Sequence, residues 1–228
     1  MNAVDYHSAI ATEFDRRYEI SEAFRERYCV WTALFDRYVL PGDRVIDLGC
    51  GSGVFSTYLA KKGCFVIGMD GSEKMISLCN QRRTSASERY IVQSLPLPQA
   101  GEAAYAGQDV IIASSVLEYI DDMPSVLQQA QRMLKPGGLL MVSMPNQQSV
   151  YRRIERLVFK LTGYPRYFAH LHNVSTVAVL NQQLNVLGFK LLDVAYFSSN
   201  DPLSKWLKVL LPKSYVNNLF VSVYQKLY

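Results

Sequence analysis

The chain has 228 residues, of which 49% are hydrophobic and 19% are charged, and its mean hydropathy is zero. This composition excludes an intrinsically disordered chain, and the length fits one α/β domain better than two. No apolar run approaches the ~18 residues that a membrane-spanning helix needs. Because the first residues carry acids and lack an apolar core, they do not form a secretory signal, and we expect a cytoplasmic protein.

The net charge of +4 is unevenly distributed along the chain. Residues 1–150 carry 14 Lys and Arg against 17 Asp and Glu, whereas residues 151–228 carry 10 against 3. A basic segment on a mildly acidic body indicates an anionic substrate, a membrane surface or nucleic acid as partner, or simply a solvated basic surface. In the basic final part of the chain, segment 205–213 is both basic and apolar. It predicts either peripheral membrane contact or a helix packed on the sheet, and the packed helix is favoured.

In chain order, residues 5–39 show apolar positions at helical spacing and predict two amphipathic helices that end before Pro41-Gly42. The next predicted helices span 54–62, 72–83, 123–133 and 176–187. Seven short apolar segments have the length of buried strands: 45–48, 65–69, 90–93, 110–113, 139–144, 189–195 and 219–224. Strands that alternate with helices predict a Rossmann-like α/β fold, with a doubly wound, seven-stranded and mostly parallel sheet and an antiparallel edge strand.

A glycine-rich turn at 49–53 joins the first strand to the helix that follows it. Glycines let the backbone approach a ligand closely, and the start of the helix presents free N–H groups. The spacing G-x-G-x-G differs from the G-x-G-x-x-G that places a pyrophosphate on a helix. Just ahead of the turn, Asp47 suits an amino group, and Asp70 at the end of the second strand suits two ribose hydroxyls. This layout predicts a site for S-adenosylmethionine.

Four segments resemble, in order, the motifs of class I S-adenosylmethionine-dependent methyltransferases of type 11/12. They read VIDLGCGSG at 45–53, GMDGS at 68–72, SSVLEYI at 114–120 and MLKPGGLL at 133–140. Pro145-Asn146, the run HLH at 170–172 and LGF at 187–189 resemble the ubiquinone-biosynthesis and small-molecule O-methyltransferase branch. The family likeness implies one domain with four parts: an N-terminal helical cap (1–42), a cofactor-binding core (43–144), a substrate-side insertion or lid (145–175), and a C-terminal helix with edge strands (176–228).

The resemblance also implies a role for individual residues. The backbone of Gly49, Cys50 and Gly51 would wrap the methionine portion of the cofactor, with Asp47 near its amino group, while Asp70 would hold the ribose. Further contacts are implied for apolar or neutral side chains, with Met69 or Met75 and Leu95 or Ser94 against the adenine, and Val116 and Leu117 beside the sulfonium.

An arginine in the helix before the first motif often pairs with the cofactor carboxylate in ubiquinone-type O-methyltransferases. Arg27 matches this position best, with Arg25 as the alternative, and either could instead be a surface charge. Two departures stand out. Relatives often have an Asp at the end of the third strand. Gln93 and Ser94 stand there in this chain, and both can still accept a hydrogen bond. Tyr119 stands where many relatives have His.

The acceptor is expected beneath two segments. Four side chains of the N-terminal helices could close over the methyl group: Tyr6, His7, Phe14 and Tyr18. In the insertion, His170 and His172 are candidate bases for a hydroxyl acceptor, or else ordinary hydrogen-bonding residues. Because they stand two apart on a stretch taken as extended, only one is expected to face the pocket. No third ligand accompanies them, so no metal is predicted.

The leading hypothesis is methyl transfer to a hydroxyl of a phenol, quinol, sugar or other small metabolite, with S-adenosylhomocysteine as product. The acceptor is expected to be lipophilic or anionic. One alternative is an RNA or protein methyltransferase that uses the basic final third. We find neither an appended recognition domain nor an Asn-Pro-Pro-aromatic signature in the sequence, which disfavours a nucleic-acid substrate. A non-catalytic cofactor-binding subunit is the other alternative. The sequence makes no prediction of oligomeric state.

Overall fold

The computed structural model describes residues 3–98, 101–164, 166–198 and 207–228. Its seven strands form one sheet in the order β3-β2-β1-β4-β5-β7-β6. In chain order they are β1 (Arg44–Leu48), β2 (Phe65–Asp70), β3 (Glu88–Val92), β4 (Gln108–Ala113), β5 (Leu134–Pro145), β6 (Phe189–Phe197) and β7 (Leu219–Lys226). The first five strands are parallel, and β7 is antiparallel to β5 on one side and to β6 on the other. The fold class predicted from the sequence is confirmed, with the antiparallel pair at one edge.

Nine α-helices are described in these ranges: α1 (Ala3–Ala9), α2 (Ala11–Ile20), α3 (Glu22–Tyr38), α4 (Val54–Lys61), α5 (Glu73–Arg82), α6 (Met123–Met133), α7 (Val150–Thr162), α8 (Val177–Val186) and α9 (Lys213–Val216). Side-chain caps fix several of their starts. Ser72 accepts from the amide of Met75, and Thr176 accepts from that of Val179. Among the described residues, none of the helices combines the length and the apolar character needed to cross a bilayer.

Helices cover both faces of the sheet. On one face, α3 and α4 bury an aromatic cluster that contains Trp31, Phe35 and Phe55. On the other face, α6 and α8 pack through Leu127 and Leu184 among others. Fully burying one such side chain contributes about 1.5–3 kcal/mol, so the two layers hold the strand ends, and the loops after them, in a fixed arrangement.

The structure differs from the sequence analysis at two places. The N-terminal region forms three helices where two were expected, because the helical path breaks at Ile10 and again at Ser21. The interval after β5, expected as an insertion or lid in which no helix was predicted, contains α7 and a 3₁₀ helix at Arg166–His170. The ends of this interval meet, since Asn146 and Ser175 form an isolated parallel bridge. Of the segment 205–213, residues 205 and 206 lie outside the described residues.

Candidate active site

The glycine-rich turn lies at the carboxyl end of β1, where the sheet opens. Gly49, Gly51 and Gly53 have φ angles of +67°, +54° and +79°, in the left-handed region that favours glycine. A Cβ atom on Gly49 would lie 2.3 Å from Cγ2 of Val116. The backbone of the turn therefore packs directly against the side chain of Val116, and both line the same cavity.

Asp70 fastens this turn to the end of β2. Its carboxylate accepts the amide of Gly51 at 2.9 Å and the amide of Ser72 at 2.8 Å. Burial raises the pKa of Asp70, while the two amide bonds act in the opposite direction. Beside it, the thiol of Cys79 donates to the carbonyl of Gly51, and its Sγ lies 3.8 Å from Sγ of Cys50. Cys50 is buried and lines the cavity next to the Asp70 carboxylate.

Arg27 and Asp47 place opposite charges on the same wall. Arg27, buried on α3, donates to the carbonyl oxygen of Ser114 at 2.9 Å and to its hydroxyl at 2.8 Å. Asp47 accepts the hydroxyl of Ser56 at 2.6 Å. Burial raises the pKa of Asp47 to about 7, against the bond from Ser56 and the charge of Arg27. Both residues line the cavity, whereas the alternative Arg25 is not among its lining residues.

The side chains predicted to contact adenine and the sulfonium divide into two groups. Met75, Ser94 and Leu95 line the cavity. Met69 and Leu117 do not; both are fully buried in the hydrophobic core that faces α6. Successive side chains of a strand point to opposite faces, so Met69 turns away from the side that Asp70 serves. The expectation that Met69 and Leu117 border the cofactor is therefore corrected.

The first two helices lie over the cavity. Tyr6 and His7 of α1, with Phe14 and Tyr18 of α2, line it as expected from the sequence. The ring of His7 lies 4.7 Å from that of Tyr119, edge to face, and 6.2 Å from that of Phe14. Burial lowers the pKa of His7 to about 4, helped by His170 and Arg27, so this imidazole is uncharged at neutral pH.

The two histidines of the insertion have different surroundings. His170 ends the 3₁₀ helix, and its ring lies 5.1 Å from that of Tyr6. His172 is 43% exposed, and its Nδ1 lies 2.9 Å from a carboxylate oxygen of Asp121, which is itself exposed. The expectation that only one of them faces the pocket is wrong, because His170 ends a 3₁₀ helix instead of lying on a regular extended stretch, and both histidines line the cavity.

Sequence reasoning missed Glu118 and Arg152 as site residues. Glu118 is 3% exposed and lines the cavity. Burial raises its pKa to about 7, although Arg27 and Arg152 act to lower it. Arg152, on α7, also lines the cavity and donates from Nη1 to the hydroxyl of Tyr167 at 2.7 Å. No signal in the sequence singled out Arg152, because a charge on the side of a helix opposite its apolar residues is ordinarily solvated.

These residues enclose one cavity of about 800 Å³. Five buried polar atoms on its lining residues have no hydrogen-bond partner among the described residues: His7 Nε2, Arg27 Nε, Ser52 Oγ, Glu118 Oε2 and Arg152 Nε. Buried polar groups are normally paired, so such a concentration indicates a polar ligand. A guanidinium, two carboxylates, a glycine turn and an apolar wall are the groups that S-adenosylmethionine requires, and the residues present fit it.

Comparison with known proteins agrees with this chemistry. Residues 22–194 match the methyltransferase domain family. A ubiquinone biosynthesis O-methyltransferase of Hahella chejuensis is 31% identical over 128 residues, which cover 56% of this chain and 52% of the relative. The corresponding protein of Azorhizobium caulinodans is 29% identical over 160 residues, covering 68% and 62%. The chain thus spans about half to three fifths of the length of these relatives.

Solved structures with the same fold extend over almost the whole chain. The N-methyltransferase NodS from Bradyrhizobium japonicum, in complex with S-adenosyl-L-homocysteine, superposes with a TM-score of 0.71 at 15% identity, covering 99% of each chain. Magnesium protoporphyrin IX methyltransferase from Synechocystis gives 0.69 at 19% identity, covering 98% of this chain and 97% of the other. With the family match over most of the sequence, the chain belongs to the class I S-adenosylmethionine-dependent methyltransferases.

Proposed function

We propose that this protein transfers the methyl group of S-adenosylmethionine to a hydroxyl oxygen of a small organic acceptor. The observation that carries the proposal is one continuous cavity with two chemically distinct halves. The glycine turn, Asp47 and Asp70 line one half, and aromatic rings with His7 and His170 line the other. The O-methyltransferase relatives support oxygen as the acceptor atom.

In the cofactor half, each polar group has a partner on the ligand. Arg27 pairs with the carboxylate of the amino-acid portion, and Asp47 faces its amino group. Asp70 accepts from the ribose hydroxyls while both its oxygens remain tied to backbone amides. Met75 and Leu95 contact the adenine. S-adenosylmethionine supplies the methyl group as an electrophilic carbon, so the protein aligns the acceptor and excludes water.

In the acceptor half, an imidazole takes the hydroxyl proton. The acceptor oxygen bonds to the methyl carbon, the carbon–sulfur bond breaks with its electrons on sulfur, and the proton passes to the protein. His170 is the leading candidate base, since its ring lies among those that cover the cavity. His7 lies beside it and is a less favoured base, because burial lowers its pKa to about 4. His172 is also a weaker candidate, because Asp121 already engages its Nδ1 at the surface.

The residues that line the acceptor half of the cavity also indicate the polarity of the acceptor. Aromatic rings from α1, α2 and the insertion form much of this half, and Arg152 presents an unpartnered Nε among them. An acceptor with an apolar ring and an anionic or strongly polar substituent satisfies both features. Such a molecule is a lipophilic or anionic small metabolite.

The cofactor assignment is tested by calorimetric titration with S-adenosylhomocysteine. We expect binding by the intact protein, no binding of NAD, and a loss of about 100-fold or more in Asp70→Ala, since hydrogen bonds to a charged group contribute about 1.5–3 kcal/mol each. Asp193→Ala is the matched control, because this carboxylate also accepts two side-chain bonds, from Arg37 and Tyr38, away from the cavity. Equal losses in both variants would contradict the assignment.

The acceptor class is tested with methyl-labelled S-adenosylmethionine. We expect label to enter small phenolic or hydroxylated metabolites of a cell extract, and this transfer to fall in His7→Leu or His170→Leu while S-adenosylhomocysteine still binds. Label that enters RNA or protein would instead support a macromolecular substrate. Binding without any transfer would point to a cofactor-binding subunit.

A further inference from the structure

Helix α7 carries an apolar stripe that faces solvent. Ile154, Leu157, Val158 and Leu161 follow the spacing of a single helix face and are exposed by 43%, 61%, 44% and 84%. None of the thirteen residues of α7 is buried. A surface helix normally turns its apolar stripe toward the core. Here the stripe has no partner among the described residues.

The other side of α7 is the side held by the protein. Arg152 reaches Tyr167, and the ring of Phe159 stacks on that of Phe168 at a centroid distance of 5.5 Å. At 100° per residue, Arg152 and Phe159 lie nearly opposite Leu157 and Leu161. The orientation of the helix is therefore determined by its contacts, and these contacts direct the apolar stripe outward.

A second exposed apolar segment directly precedes α9, the helix that contacts α7. Val209 and Leu210 are 87% and 72% exposed, and α9, which follows them, contacts α7. The side-chain amide of Asn146, which precedes α7, donates to the carbonyl of Ser214 in α9 at 2.6 Å, so α9 is held near the start of α7. We refer to the stripe of α7 together with residues 209–211 as the docking surface.

The charges beside the docking surface have one sign. Arg153, Arg156 and Lys160 are exposed along one flank of the stripe, and Lys208 and Lys213 are exposed beside Val209 and Leu210. Glu155, the acid of α7, lies on the inner side next to Arg152. Two copies packed antiparallel through this surface would bring their basic flanks together, and in any pairing of copies through it no acidic group of its described residues would face the basic flank of α7. A phosphate backbone alone would leave the apolar stripe in water.

We propose that α7 docks in the interface of a membrane that carries anionic lipids. The stripe enters the boundary between headgroups and acyl chains, and the basic flank contacts the headgroups, as in interfacial helices of this composition. Arg152 lines the cavity from the inner side of the same helix, so docking brings the acceptor half close to the lipid. That an apolar acceptor enters from the membrane rests on the proposed function; the docking itself does not.

Sedimentation with lipid vesicles tests the docking. The full chain is expected to bind vesicles of phosphatidylcholine with phosphatidylglycerol, and to bind less to phosphatidylcholine alone or at high salt. Leu157→Glu with Leu161→Glu should weaken binding at least about tenfold. Neutralising Arg153, Arg156 and Lys160 to Gln should weaken it about fivefold for each charge. Val186→Glu is the control, since Val186 is 81% exposed on α8.

Three results would overturn the docking: no binding of the full chain to anionic vesicles, equal loss in the control, or a dimer in light scattering that the leucine variants dissociate. RNA binding that depends on the three basic residues and not on the leucines would assign the surface to nucleic acid instead. S-adenosylhomocysteine titration of every variant shows that each is folded. Failure of that titration in the intact protein would overturn the proposed function and leave the vesicle result standing.

Discussion

Gly49, directly after β1, packs against Val116 in the segment after β4. A side chain there meets two obstacles, a φ of +67° and a Cβ position 2.3 Å from Cγ2 of Val116. We expect Gly49→Ala to lower the free energy of unfolding by about 3 kcal/mol, from overpacking and left-handed strain together, and to abolish S-adenosylhomocysteine binding. Urea denaturation and calorimetry measure the two effects.

The matched control for Gly49 is Gly163, which has a φ of +71° and nothing within 4 Å of an added Cβ. Gly163→Ala should lose only about 1–2 kcal/mol, the cost of the backbone conformation alone, and should bind S-adenosylhomocysteine normally. Equal losses in the two variants would show that the contact with Val116 is unimportant.

Glu118 gives the site a pH dependence whose sign follows from its burial. Its pKa is raised from 4.5 to about 7 in the folded protein. The stability tied to its protonated form is therefore present below its ordinary pKa and lost as the pH rises toward 7. Relative to Glu118→Gln, the intact protein should lose up to about 3 kcal/mol of unfolding free energy between pH 4.5 and 7.

Urea unfolding of both proteins across this pH range makes the comparison. Asp47, with its pKa also near 7, titrates in both proteins and cancels in the difference. A constant difference between the two proteins from acid to neutral pH would contradict the raised pKa of Glu118.

How far the sequence predicts the site depends on the kind of residue. The residues tied to the strand ends, such as Asp70, could be placed because a motif specifies their local geometry. Met69 could have been set apart from Asp70 by strand alternation alone. The environments of His7 and Glu118 could not be predicted from the sequence, since they depend on helices that meet across the cavity from distant parts of the chain.

At the scale of elements, α1 and α2 lie over the cavity with few attachments of their own. No residue of α1 is buried, and Ala11 is the buried residue of α2. Their polar links to α5 are a hydrogen bond between Ser8 and Ser72 at 2.6 Å and an ion pair between Asp15 and Arg82. Such weakly held elements open locally at low free-energy cost.

We therefore expect a bound ligand to protect these two helices. In hydrogen–deuterium exchange, addition of S-adenosylhomocysteine should slow exchange in residues 3–20, because the ligand adds contacts to their inner side. Exchange in α6, which packs on the sheet away from the cavity, serves as the internal control. Unchanged exchange in 3–20 at saturating ligand would show that these helices do not respond to the cofactor.

The insertion shows why one element was missing from the sequence analysis. The apolar residues of α7 have helical spacing, but the alternation of strand and helix that organises the core stops at Pro145. Because α7 does not connect two strands of the sheet, the strand–helix alternation does not predict it. Its position comes from a few long-range contacts, and no local rule predicts them.

At the scale of the whole molecule, the sheet and its order follow from rules that act along the chain. Parallel strands need crossover helices, and continuous apolar segments indicate strands that are buried on both faces. The same rules do not say which of the last two strands lies inside the sheet. That depends on pairing: β7 forms antiparallel ladders with both β5 and β6, whereas the sequence shows only that the late strands are close together.

The position of β7 has a consequence for how the protein is made. β6 is synthesised before β7, yet within the sheet it is bonded only to β7. Until residues 219–226 have left the ribosome, β6 has no strand to join, and the outer edge of β5 remains open. Unpaired edges recruit other chains. The nascent protein is therefore prone to aggregation between the emergence of β6 and that of β7, and pairing of β7 with both neighbours ends that exposure.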